Sequence, residues 1–238
     1  MQIYERVIFM KVTCIPGGDM PDPTILRVGD YFYLTCSNLN YSPGLIIRRS
    51  LNLVGWETVC SVFEECLGDV WAPELVRHNG KFYIYFPTNK NGHIQVFATC
   101  SDRIDGDWCT PVPVGAEYLI DPGFISDGEN SWLYFNDGYC ARLTEDCMRL
   151  AEKPYKVWQP WQYPEDWKTE GMCAESPKLF RKNGFACFDM TMSIMPAIVL
   201  TIAGLLANGA ITVAGLCTGQ NVGVALWSAA ETLRTMYL

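Results

Sequence analysis

Residues 72–87, APELVRHNGKFYIYFP, read as a β-hairpin: a short apolar strand after Pro73, a Gly-containing turn, and the alternating strand KFYIYF. The pattern recurs three times. It returns as DPTILRVGDYFYLTCS from Asp22, DPGFISDGENSWLYFN from Asp121 and SPKLFRKNGFACFDM from Ser176. The leading prolines fall at 23, 73, 122 and 177, which are 50, 49 and 55 residues apart by subtraction. Two units also share a later segment, SLNLVGW from Ser50 and SDRIDGDW from Ser101, in the position of an outer strand. Four antiparallel strands per unit of about fifty residues fit a propeller blade, whereas a β-sandwich has no reason to repeat at fixed period. Ankyrin, tetratricopeptide and leucine-rich repeats are shorter. The expected fold is therefore all-β, an incomplete propeller with about four blades, near 22–66, 70–112, 119–150 and from 175 to 189 onward.

Composition agrees with a globular chain of 238 residues, 49% hydrophobic and 13% aromatic. A formal charge of -8 and an isoelectric point near 4.8 argue against nucleic-acid binding, which needs clustered Lys and Arg. The eleven cysteines include no CxxC pair, so zinc-ribbon spacing is absent. MQIYERVIFMKV places Glu5 and Arg6 inside what would be the apolar core of a leader. Together these suggest a reducing, cytoplasmic setting in which most thiols are small core residues.

A propeller sets the first strand of each blade beside the central channel, so residues opening that strand converge on one axis. Asp22 and Asp121 stand just before the repeat proline, and Glu175 stands one place further back in its unit. Alone, an Asp-Pro pair is a common turn with a solvated acid. Three acids at one repeat position point instead to a shared pocket. Glycosidic hydrolysis needs one carboxylic acid to protonate the leaving oxygen and a second carboxylate to activate water or attack. A third acid separates the protonation states of the other two. No Walker loop or GxSxG elbow offers a rival chemistry. His78 and His93, the two histidines, read as surface turn residues rather than bases.

The order Asp22-Pro23 with ILRVGDYFYL, then VWAPELVRHNGKFYIYF, LIDPGF and EGMCAESPKLFRKNG, resembles the successive blades of glycoside hydrolase family 43 over about residues 17–188. The resemblance implies a five-bladed propeller that cleaves xylosides and arabinosides of plant polysaccharide, or oligosaccharides derived from it, with inversion. It implies Asp22 as general base, Asp121 as the auxiliary acid that tunes and orients, and Glu175 as general acid. Where the family has EGP this chain has Glu175-Ser176-Pro177, a small residue for a smaller one. Trp71 resembles a pocket-wall residue, with core packing as the alternative, and Phe124 and Tyr41 are weaker candidates of the same kind. An inverting pair would stand about 6.5–9.5 Å apart to admit a water.

The resemblance ends near Asp189. Residues 190–230 contain no Asp, Glu, Lys or Arg, and the repeat vanishes, so 190–238 is expected as an atypical apolar tail, frame-shifted or disordered. The run 194–213 is long and apolar enough for a membrane helix. That reading would leave sheet edges bare, and a membrane anchor is not expected. The family's fifth blade commonly carries a channel His that helps hold a metal, but no His follows His93. No cofactor or metal ligand is therefore expected. The alternative to an enzyme is an inactive sugar-binding or truncated propeller fragment.

Overall fold

The computed structural model describes residues 20–159, 173–182, 185–193, 200–201, 211–218 and 221–228, with side chains in 20–159 and 174–180. The leader-like segment 1–12 and part of the apolar run 194–213 lie outside the described residues.

Blade one is the meander β1 (Thr24–Val28), β2 (Tyr31–Thr35), β3 (Ile47–Ser50) and β4 (Glu57–Cys60), each strand antiparallel to the next. A two-residue loop led by Gly29, at φ 59°, closes the first hairpin, a backbone state that glycine enters without steric cost. Between the blades lies β5 (Asp69–Val70), followed by blade two: β6 (Glu74–His78), β7 (Lys81–Lys90), β8 (His93–Ser101) and β9 (Val112–Glu117). The β6–β7 turn, Asn79-Gly80, has positive φ at both residues, the hairpin geometry whose twist matches that of paired strands. β7 is ten residues long because two strands share one of its edges: β6 pairs its first half and β5 its far end.

Blade three is β10 (Gly123–Ser126), β11 (Ser131–Tyr134), β12 (Tyr139–Arg142) and β13 (Tyr155–Lys156), with a 3₁₀ turn at Asn136–Gly138 between β11 and β12. The outer strands of blades two and three thus run to 117 and 156, past the 112 and 150 read from sequence. A fourth sheet holds β14 (Cys173–Lys182), β15 (Phe185–Ser193) and β16 (Leu200–Thr201), and β17 (Ile211–Thr218) pairs with β18 (Asn221–Ser228). Among the described residues the tail is strand. No helix there is long and apolar enough to cross a membrane.

The packing follows from the two-residue period of a strand, which sends alternate side chains to opposite faces. Phe82, Ile84 and Phe86 of β7 face blade one, where they meet Tyr33, Leu45, Ile47 and Val62. Tyr83 and Tyr85 face blade three with Val96, Ala98, Phe124, Leu133 and Phe135. β7 is therefore apolar from Phe82 to Pro87, where it is buried on both sides. Hydrogen bonds join the blades: Leu75 N–H to Thr24 Oγ1 at 3.3 Å, Leu39 N–H to Val70 O at 3.0 Å, and Tyr85 O–H to Cys147 O at 2.9 Å. Of the seven cysteines whose side chains are described, Cys36, Cys140 and Cys147 are buried, Cys60 and Cys100 pack against the core, and Cys66 is exposed.

Candidate active site

Three residues immediately before the repeat prolines adopt the left-handed backbone state: Asp22 at φ 50°, Asp121 at 55° and Ser176 at 55°. Side chains with a Cβ rarely enter this region, at a cost of about 1–3 kcal/mol each, and they concentrate where function requires them. In blades one and three the left-handed residue is itself the acid. In β14 it is Ser176, and the acid comes one residue earlier. The β14–β15 register explains the offset, since it pairs Glu175 with Thr191 but Lys178 with Asp189. One extra residue bulges out between them, and a bulge re-aims the side chains beside it. The family's glycine at the matching position suits this backbone, and Ser176 holds the same conformation with a side chain attached.

The structure brings the three carboxyls together at one end of the inner strands. Asp121 is only 9% exposed. Its Oδ2 accepts from Ser176 N–H at 3.0 Å and from Ser176 Oγ at 3.3 Å. Burial, then the negative charge of Glu175 and to a lesser extent that of Asp22, push its carboxyl up to about 7, against the opposing pull of the Ser176 amide and the Lys178 ammonium. Asp22 Oδ2 accepts from Ser37 Oγ at 2.6 Å, so the segment leaving β2 steers the carboxylate that precedes β1. Glu175 is half-buried.

Two further residues complete the electrostatics. Lys178 Nζ of β14 reaches Glu74 Oε2 of β6 at 2.5 Å, with the Glu74 side chain 9% exposed and that of Lys178 45%. The ion pair thus ties β14 directly to β6 across 104 positions of sequence. Glu74 belongs to the WAPE motif and Lys178 to the fourth repeat, but sequence reasoning assigned a role to neither. Their shared position, close behind the repeat prolines, was the available signal. Ser37 had no such signal, since nothing in its own segment marks it as a partner of Asp22.

The expected sugar-facing aromatics divide. Phe124 is spent in the core between blades two and three, 9% exposed, stacked on Tyr85 at 5.9 Å and tilted against His78 at 5.3 Å. It offers no face to a ligand, and that expectation fails: along β10 the period of two sends Gly123 toward β14 and its neighbour toward blade two. Trp71 is half-buried two residues before Pro73, the place Glu175 holds before Pro177, and its N–H donates to Pro87 O at 3.0 Å. Tyr41 is 74% exposed and borders a cavity of about 340 Å³ with Pro21, Ser37, Asn38 and Arg48. Neither histidine joins the carboxyls. His78 ends β6 beside Ser131 Oγ, in a strand rather than a turn, and burial lowers its proton affinity. His93 faces Glu117 and Tyr118. Among the described residues no imidazole thus stands beside the carboxyls.

Residues 14–193 match the model of glycosyl hydrolases family 43. The chain belongs to this family. Among curated relatives, a xylosidase/arabinosidase of Butyrivibrio fibrisolvens is 28% identical over 193 residues, covering 71% of this chain and 36% of that enzyme. A non-reducing end α-L-arabinofuranosidase of Bacteroides ovatus is 36% identical over 132 residues, covering 50% of this chain and 24% of its own. The structure of a family 43 protein of Bacillus licheniformis, a K247S mutant, superposes with a TM-score of 0.63 at 26% identity, over 73% of this chain and 36% of that one. The chain spans about a third or less of the length of these proteins. The three blades and the β14–β16 sheet form an incomplete propeller of the family 43 type.

Proposed function

We propose that this chain hydrolyses xylosides or arabinosides of plant polysaccharide, or of the oligosaccharides derived from it, with inversion at the anomeric carbon. The observation that carries the reading is the buried Asp121 carboxyl, which feels Glu175 and Asp22 at once and is held by the backbone beside Glu175. Such an arrangement supports a division of labour among three acids. Glu175 donates its proton to the glycosidic oxygen as the bond to the anomeric carbon breaks. Asp22, aligned by Ser37, removes a proton from a water that attacks the opposite face of the sugar. Asp121 does not touch the reacting atoms. It anchors the Ser176 backbone and so holds the strand that carries Glu175 in place. The names of the relatives support xylose and arabinose as the sugars, and Trp71 and Tyr41 are the aromatic faces available to pack on them.

The test uses wild type, Asp22→Asn and Glu175→Gln on aryl β-xylosides and aryl α-L-arabinofuranosides. Each substitution is expected to lower kcat by about 10²–10⁴-fold, the usual worth of a positioned acid or base. Proton NMR of the first product should show the inverted anomer. Equal residual signal in all three proteins removes the reading and leaves a non-catalytic propeller.

A further inference from the structure

The turn that joins β11 to β12 makes contacts that neither its own blade nor the three carboxyls require. Asn136 Oδ1 accepts from Ile120 N–H at 2.9 Å, and Asn136 N–H donates to Ile120 O at 3.2 Å. Asn136 Nδ2 donates to Asp137 Oδ2 at 2.9 Å. Asp137 Oδ1 then accepts from Ala174 N–H at 3.2 Å. The relay thus begins at the residue before Asp121 and ends at the residue before Glu175, 37 positions away from Asp137 in sequence. The turn itself is held in place. Asp137 sits at φ 54° and ψ 22°, Gly138 at φ 80°, and a Cβ on Gly138 would come within 2.4 Å of Trp158 O, so the outer strand region backs the turn closely. Val157 N–H donates to Gly138 O at 2.9 Å from the same side.

We infer that Asn136 and Asp137 are positioning residues that fix the spacing between blade three and β14, and through it the relative placement of Asp121 and Glu175. β10 and β14 are separate sheets with no ladder between them, so the contacts joining their leading ends are side-chain bonds and close packing. Ser176 bonds Asp121 directly, yet that bond weakens if β14 and its partner β15 slide together against blade three, which a second tie between the two would oppose. The Asp137 bond to Ala174 supplies one, two residues earlier. A carboxylate accepting from a backbone amide is a charge-assisted bond, stronger than a neutral one, and its partner Asn136 holds the carboxylate's other oxygen. A shift of about 1 Å in a reacting group is enough to cost on the order of 100-fold in rate.

The kinetic consequence rests on the glycosidase reading, but the structural one does not. The experiment is amide hydrogen exchange by NMR on the full chain, comparing wild type with Asp137→Ala. The expected result is that the Ser176 amide, which Asp137 does not touch, exchanges at least tenfold faster in the variant, while amides of the β6–β7 hairpin keep their wild-type rates. Asp137→Asn preserves side-chain size but sets two N–H₂ groups against each other at Asn136, so it carries the same test should the Ala variant not fold. Wild-type exchange at Ser176 in the folded variant overturns the inference, and so does a uniform rise through every blade, which would mark a merely structural role. On turnover, kcat should fall at least tenfold more for a disaccharide leaving group than for a dinitrophenyl one, which needs little protonation, with KM unchanged. Equal losses on the two substrates also overturn it. If wild type cleaves neither substrate, the proposed activity fails while the exchange result still decides the role of Asp137.

Discussion

Replacing Asp121 by Asn isolates what it costs to keep a carboxyl buried beside two others. Asn has the same shape, its Oδ1 still accepts from Ser176, and it cannot ionise. Burial and the charges of Glu175 and Asp22 push the Asp121 carboxyl up to about 7 in the folded chain, against about 3.9 for an unperturbed Asp. The folded state therefore holds this proton more tightly than the unfolded state does. Stability linked to the group is fully present below about pH 4, falls as pH rises toward 7, and is lost above it. Three units of difference amount to about 4 kcal/mol at pH 8, of which about 1 is already lost at pH 4.5. Urea unfolding at pH 4.5, 6 and 8, followed by tryptophan fluorescence, measures the difference between wild type and Asp121→Asn, in which all other titrating groups cancel to first order. The variant's advantage is expected to grow by about 3 kcal/mol between pH 4.5 and pH 8. Since Asp121 is assigned to the site, the same variant should lose turnover while it gains stability at neutral pH. A stability difference that stays constant across the three pH values would show that Asp121 titrates near its ordinary value, and would refute the picture of a dry Asp121 pressed by two neighbouring acids.

Gly123→Ala would set a Cβ within 2.2 Å of Pro177 O and 2.9 Å of Leu179 Cδ1. Backbone on the far side cannot give way, so thermal unfolding should show a loss of about 1–3 kcal/mol, with lower activity from the displaced β14. Lys178→Met strips Glu74 of its cation and removes one of the charges that lower the Asp121 proton affinity. Its stability loss should fall below the 3–5 kcal/mol of a fully buried pair, because Lys178 is half-exposed, and the Asp121 titration should move to higher pH in carboxyl ¹³C NMR. Ser176→Gly relieves a left-handed side chain but forfeits the 3.3 Å bond to Asp121, so the two effects oppose and stability should stay within about 1 kcal/mol of wild type. A larger change in either direction would mean that one of those effects is misjudged.

Much of this protein was legible in the chain because its information is local and repeated. The Pro-strand-turn-strand unit announces hairpins, as the Asn79-Gly80 turn and the alternation of 81–86 bear out. Repetition near fifty residues then orders those hairpins into blades. The places where local reading fell short are those where two blades meet. Phe124 was expected as a pocket-wall residue, yet it is buried by aromatic residues of blade two that lie far away in sequence. Glu74 and Lys178 sit in quoted motifs without any local hint that they would pair 104 residues apart.

What the sequence determined by itself was the all-β repeat and the recurrence of an acid at its head, since both depend on short-range turn chemistry and side-chain period. Tertiary structure alone decided which acid is dry, which cation answers it and which turn braces the pair. Those properties arise from burial and from charges brought across the gaps between sheets, and no window of neighbouring residues contains them.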